Sequence, residues 1–163
     1  MKKIAYLLAL FALTALEASA QGAKNIHINE VMTNNTASIE DEYGNNAAWI
    51  ELCNSSFTTY NIRGMYITTN RDVLNKKLSA PERQKMMSVI PNNEPRTVLA
   101  GNQHLIFFCN GNPNNGSLHI TAQVKPGEPV WVAIYDGNGI DLIDSISVPA
   151  LKENQCYARQ ADN

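Results

Sequence analysis

Apolar and polar residues alternate along much of this chain. In "IHINEVM" (Ile26–Met32) strict alternation places Ile26, Ile28 and Met32 on one face, and Glu30 with them. "WIELC" (49–53) puts Ile50 and Leu52 on one side and Glu51 on the other. "LHITAQV" (118–124) is the clearest alternation, with Leu118, Ile120, Ala122 and Val124 facing one way and His119, Thr121 and Gln123 the other. "MYITT", "KMMSVI", "HLIFFC", "PVWVAIY", "IDLIDSISV" and "QCYAR" are further strand candidates. Turn formers separate them: Gly64, Pro91, the run "NGNPNNG" (110–116), and "DGNG" (136–139), where glycine takes up positive φ at little cost.

Many short strands divided by frequent turn signals predict an all-β sandwich or barrel. One short helix is predicted near residues 80–87, "APERQKMM", with Ser79 as its cap and Pro81 in its first turn. At the start of the chain, Lys2 and Lys3 precede an apolar run, Ile4 to Leu16, and Ala18-Ser19-Ala20 fits a signal-peptidase site. Residues 1–20 thus read as a cleaved export signal, and the run is short for a membrane span. Residues 21–163 form one domain, large enough for a proper core.

The chain of 163 residues carries a formal charge of −2. Past the signal, no basic cluster exceeds Lys76-Lys77, so the electrostatic footprint of nucleic-acid binding is lacking. The cysteines are Cys53, Cys109 and Cys156, and an odd number permits at most one internal bridge. The strand-end positions of Cys53 and Cys109 suit small core residues better than disulfide partners. His27, His104 and His119 are scattered singly, and no GxSxG, HExxH, phosphate loop or dinucleotide fingerprint occurs.

The chemistry on offer is concentrated between the first two strands, in "TNNTASIEDEYGNNAA". Two readings stand side by side. Glu30, Asp41 and Glu51, helped by Asn45 or Asn46, supply the kind of oxygens that calcium accepts in loose geometry. Alternatively the loop is tied down by its own Asn and Asp side chains, with Glu30 taking backbone N–H groups. "DGNGIDLID" mimics the first and third positions of an EF-hand with Asp136 and Asn138, but Ile140 and Ser147 stand where ligands are needed. It reads as a hairpin, with Asp144 as a structural carboxylate. Trp131 and Tyr135 share a face and form the candidate contact patch.

The order and spacing of several motifs resemble the bacterial lamin tail domain. These are "INEVM" with its acidic loop and "WIEL", then "NIRGMYIT", then "LHITAQVKPGEPVWVAIYDGNGIDLIDSISVP", and finally "CYAR", together spanning roughly Asn25 to Asp162. The resemblance implies an immunoglobulin-like β-sandwich. The chain departs from the family at Ala48, where Asp is frequent, at Cys53, where an aromatic is common, and at Ala158, where Gly is usual. It also ends at Asn163, before the closing stretch that related domains carry. "INEVMTNNTAS", "MYITTNRDVLNKKLS" and "MMSVIP" further resemble the lamin-tail portion of sodium-pump decarboxylase gamma subunits of Bacteroidetes, in which a membrane helix follows.

These readings imply an exported, periplasmic or cell-surface domain that is not itself catalytic and serves as an interaction or scaffold module for a protein partner. The alternative is the extracytoplasmic assembly domain of a membrane-anchored decarboxylase pump subunit, tied to the membrane only through a segment not in this chain. A secreted hydrolase is the remaining alternative and would need a His joined to a Ser or Cys and an acid in one pocket. No cofactor is implied beyond the candidate calcium.

Overall fold

A computed structural model describes residues 23–159; the expected signal at 1–20 lies outside them. The chain is an all-β sandwich. One sheet contains β1 (Ile26–Met32), β2 (Trp49–Asn54), β7 (His104–Phe108) and β10 (Tyr157–Ala158), in the order β10-β1-β2-β7. The other contains β4 (Tyr66–Thr68), β5 (Ser88–Val89), β8 (Val130–Tyr135) and β9 (Leu142–Val148), in the order β5-β4-β8-β9. A small ladder joins β3 (Tyr60–Asn61) to β6 (Val98–Leu99). All the paired strands are antiparallel.

The core lies between the two sheets. Ile28, Val31, Ile50, Leu52 and Phe107 of the first sheet, each at 0% exposure, meet Ile67, Val132 and Ile134 of the second, also at 0%. Each such side chain contributes about 1.5–3 kcal/mol of burial. The outer face of the second sheet is covered as well. Ala133 and Tyr135 pack there with Val73, from a 3-10 turn at Arg71–Leu74, and with Met87, just after helix α1 (Ala80–Gln84). The helix begins as the sequence predicts. Ser79 and Glu82 form a reciprocal capping box, with the Ser79 N–H donating to Glu82 Oε2 at 2.8 Å, and Pro81 lies in the first turn. It ends earlier than predicted, and β5 takes over at Ser88.

Strand β1 departs from strict alternation. Its register against β2 shifts between Ile28 and Glu30, so Asn29 forms a β-bulge. Ile28 and Val31 consequently both face the core, whereas Glu30 and Met32 turn outward beside Glu51 and Trp49. The sequence pattern placed Glu30 with Ile28 and Met32 on one face. The extra residue reverses that, because a one-residue slip moves every later side chain to the other side.

The bulge also exposes a need that the second sheet meets. The Ile28 N–H, unused by the ladder, donates to Asp144 Oδ2 of β9 at 2.8 Å. Arg159, just after β10, donates from Nη2 to both Asp144 oxygens at 3.0 and 2.8 Å, and its own N–H reaches Asn29 O at 2.8 Å. Asp144 Oδ1 also accepts the Ser145 N–H at 2.9 Å. One carboxylate therefore joins β1, β9 and the end of β10.

Segment 118–124, the clearest strand by pattern, forms no regular strand. Its inward residues behave as expected: Leu118, Ile120 and Ala122 are buried. Its backbone, however, is divided between the sheets. The Ile120 N–H donates to Phe108 O of β7 at 2.9 Å, while the Ala122 N–H donates to Ser88 Oγ of β5 at 3.1 Å. The segment crosses from one sheet to the other along the side of the sandwich, and a ladder with either sheet would forfeit the other contact.

Replacing Asp144 with Ala should lower the unfolding free energy by about 2–3 kcal/mol, since it strands the Ile28 N–H and unpairs Arg159. Urea denaturation with an unchanged m-value is the check.

Candidate functional site

The connection between β1 and β2, residues 33–48, is built by side chain-to-backbone hydrogen bonds. Asn35, 7% exposed, donates from Nδ2 to Ile39 O at 2.7 Å and Ala47 O at 2.9 Å, and its Oδ1 accepts the Ser38 N–H at 3.0 Å. Asp41 Oδ1 accepts the N–H groups of Tyr43 at 2.9 Å and Asn45 at 2.8 Å, and the Asn45 amide reaches both Asp41 oxygens at 3.2 Å. Desolvation pushes the Asp41 carboxyl up. The Asn45 and Tyr43 N–H groups and the Asn45 amide outweigh it and hold the pKa below its ordinary value. From outside the loop, Asn154 tolerates a positive φ of 55° and accepts from the Thr36 and Ala37 N–H groups at 2.8 and 2.9 Å.

The structure does not gather the three candidate calcium ligands into one cluster. Glu30 and Glu51 are cross-strand neighbours on the outer face of the first sheet. Glu30 Oε2 accepts the Cys156 thiol at 3.3 Å, while Glu51 Oε1 accepts the Asn29 amide at 2.7 Å and lies 2.9 Å from His104 Nδ1. Asp41 is engaged within its own loop. Among the described residues, no group of three or more His, Cys, Asp and Glu side chains converges to hold a metal ion. The loop is tied down by its own Asn and Asp side chains, whereas Glu30, expected to take backbone N–H groups, accepts the Cys156 thiol instead.

A buried histidine fastens this loop to the segment after β7. The His119 side chain is wholly buried and stacks on Phe108, with ring centroids 5.2 Å apart. Its Nδ1 accepts from the Asn110 amide at 2.7 Å, so Nε2 carries the hydrogen and donates to Glu42 Oε2 at 3.0 Å. The hydrogen bond from His119 holds the Glu42 carboxyl below its usual pKa. Gly116 makes room for the pair, since a Cβ there would collide with the Glu42 carboxylate. Nearby, the Ser117 hydroxyl donates to Glu94, which also takes Arg96 Nε at 2.7 Å and Nη2 at 2.9 Å.

These fixed elements border an open polar pocket of about 480 Å³, within the size range of small-molecule sites. Thr33, Asn35, Asp41, Asn46, Asn110 and Asn115 give it a polar lining, with Ala47, Ala48, Val124 and Pro126 beside them. Thr33 is 1% exposed, yet its hydroxyl has no hydrogen-bond partner among the described residues; the buried Asn46 Nδ2 has none either. Sequence reasoning singled out the loop but missed the pocket. Its other walls, Asn110, Asn115 and Pro126, come from distant stretches. The one signal was the density of asparagine at both ends of the region.

The other candidate residues separate. Trp131 lies half-buried under Arg71, whose guanidinium carbon is 5.7 Å from the ring centroid, at an open groove of about 590 Å³. Tyr135 is 2% exposed and belongs to the cluster under Val73 and Met87. It does share the Trp131 face, but the helical cover removes it from any contact patch. The three cysteines are all unbridged. Desolvation raises the pKa of all three: Cys53 upward, Cys109 to about 12, and Cys156 to about 12 with the Glu30 carboxylate adding to the effect.

Two outcomes follow for solution measurements. Arg96 first, then Ser117, brings the Glu94 pKa from 4.5 down to about 2. A depressed carboxylate contributes stability that is complete above the unfolded value and lost as pH falls toward the folded one. Acid should therefore remove about 1–2 kcal/mol between these two pKa values, after screening at the exposed Arg96. Glu94→Gln should flatten that part of a stability–pH profile. Second, thermal melts in millimolar calcium and in EDTA should coincide, because a cation selective for the folded state would raise the Tm. No family model, curated protein or solved structure matches this chain.

Proposed function

We propose that the chain is an exported, non-catalytic binding and scaffold domain, an immunoglobulin-like sandwich of lamin-tail type, which presents a polar loop-built pocket and the neighbouring surface to a partner. The observation that carries this reading is the state of the pocket. Its walls are fixed by completed hydrogen bonds, from Asn35 to Ile39 and Ala47 and from Asn110 to His119, so the polar space is formed in advance of any partner.

The buried reactive groups support the same reading. A nucleophile needs a base in reach and a base needs freedom to move a proton. His119 is saturated on both ring nitrogens by Asn110 and Glu42. The thiols are held protonated by burial, Cys109 and Cys156 up to about 12. Among the described residues no helix is long and apolar enough to cross a membrane.

The test is the intact mass and membrane fractionation of the native protein, with a purified sample assayed against a panel of ester, peptide and glycoside substrates. A processed species outside the cytoplasm without turnover is the expected result. A heavier, membrane-bound species co-purifying with decarboxylase subunits would transfer the function to the pump complex.

A further inference from the structure

We propose that the turn and helix covering the outer face of the second sheet form a docking surface for anionic phospholipid headgroups, by which the domain lies against a membrane without spanning it. This goes beyond the binding-domain reading and concerns a face other than the pocket.

Charge is spread unevenly along the chain. Residues 71–85 carry five basic side chains against two acidic ones, whereas the other described residues carry six against eleven. An acidic protein that gathers its cations on one covering segment is arranged for an anionic partner. Arg71, Lys76, Lys77 and Lys85 are exposed, and neither they nor Arg83 form an ion pair among the described residues. Elsewhere Arg96, Lys125 and Arg159 are each held by a carboxylate. Of the two acids in the segment, Glu82 is engaged by the Ser79 N–H and hydroxyl at 2.8 and 2.6 Å, and Asp72 is exposed. The face therefore keeps a net positive charge.

The segment is one continuous surface. Val73, at 0% exposure, pins the 3-10 turn to the sheet, and the next residue, Leu74, is left 48% exposed. Arg83 Nη2 donates to Asn75 O at 3.4 Å and ties helix α1 to the turn. Arg71, Asn75, Leu78 and Met86 line one open groove. Trp131 stands at its border, half-buried beneath Arg71. An exposed leucine and an indole set between Arg71 and Lys76-Lys77 suit a lipid interface. There the headgroup phosphates meet the cations, and the apolar groups reach the acyl boundary. A nucleic acid or an anionic polysaccharide would use the charges alone and leave Leu74 in water.

The experiment is co-sedimentation of the processed protein with vesicles of phosphatidylglycerol and phosphatidylcholine in equal parts, and with vesicles of phosphatidylcholine alone. Binding to the anionic vesicles only is expected, falling steeply as salt rises from about 20 to about 200 mM. Lys76→Glu combined with Lys77→Glu should weaken it by about tenfold or more. Leu74→Ser should weaken it severalfold, and Trp emission should shift to the blue on binding, a shift that Trp131→Phe removes. The lysine and leucine variants should keep the parent Tm, because these side chains are exposed. Equal binding to both vesicle types, or none to either, would overturn the proposal. So would binding that survives the lysine variant undiminished, since the contact would then lie elsewhere on the molecule. Equal retention by dextran sulfate, with Leu74→Ser indifferent, would reassign the face to an anionic polymer. None of these failures touches the pocket or the binding-domain reading.

Discussion

The sandwich depends on a single carboxylate, Asp144, placed where the first sheet is irregular. A β-bulge at Asn29 leaves the Ile28 N–H without a ladder partner, at a partly buried point between the two sheets. A buried donor left in that state costs about 1–3 kcal/mol. Asp144 meets it from the opposite sheet and in doing so draws in Arg159, which fixes the short last strand. Hydrophobic burial supplies more free energy, but it is non-directional. The carboxylate is what specifies how the edge of one sheet sits over the edge of the other.

The bulge has a second effect, on the outer face. By turning Glu30 outward it sets that residue beside Glu51, and both carboxylates are then occupied by Cys156, Asn29 and His104. Without the bulge Glu30 would enter the core beside Ile28. The irregular residue thus resolves a conflict that the hydrophobic pattern contains, and it does so at the base of the loop that forms the pocket. Loop, bulge and inter-sheet carboxylate form one construction.

Much of the fold was legible in the sequence because it follows from a period of two. The inward faces of β2, β8 and segment 118–124, the capping box at Ser79 and Glu82, and the structural use of Asp144 could all be read from spacing. The bulge could not, since one extra residue leaves the composition of β1 unchanged and alters only its pairing. The fate of 118–124 was hidden for a related reason: its side chains alternate as in a strand, while its backbone partners belong to two sheets. Of the pocket, the acidic loop was visible and the opposing wall was not. His119 read as an isolated residue because its partners, Glu42 and Asn110, are brought to it by tertiary structure.

The segment that crosses between the sheets has a consequence for self-association. Open sheets carry edges, and bare edges recruit strands from other molecules. Here β7 is covered at Phe108 by residues 118–120, and β5 is only two residues long, with its Ser88 hydroxyl taken up by Thr121 and Ala122. β10 is equally short, and β9 turns a charge toward its neighbour. The margins at β5, β10 and the end of β7 are thereby blunted, so they offer little template for fibrillar self-association.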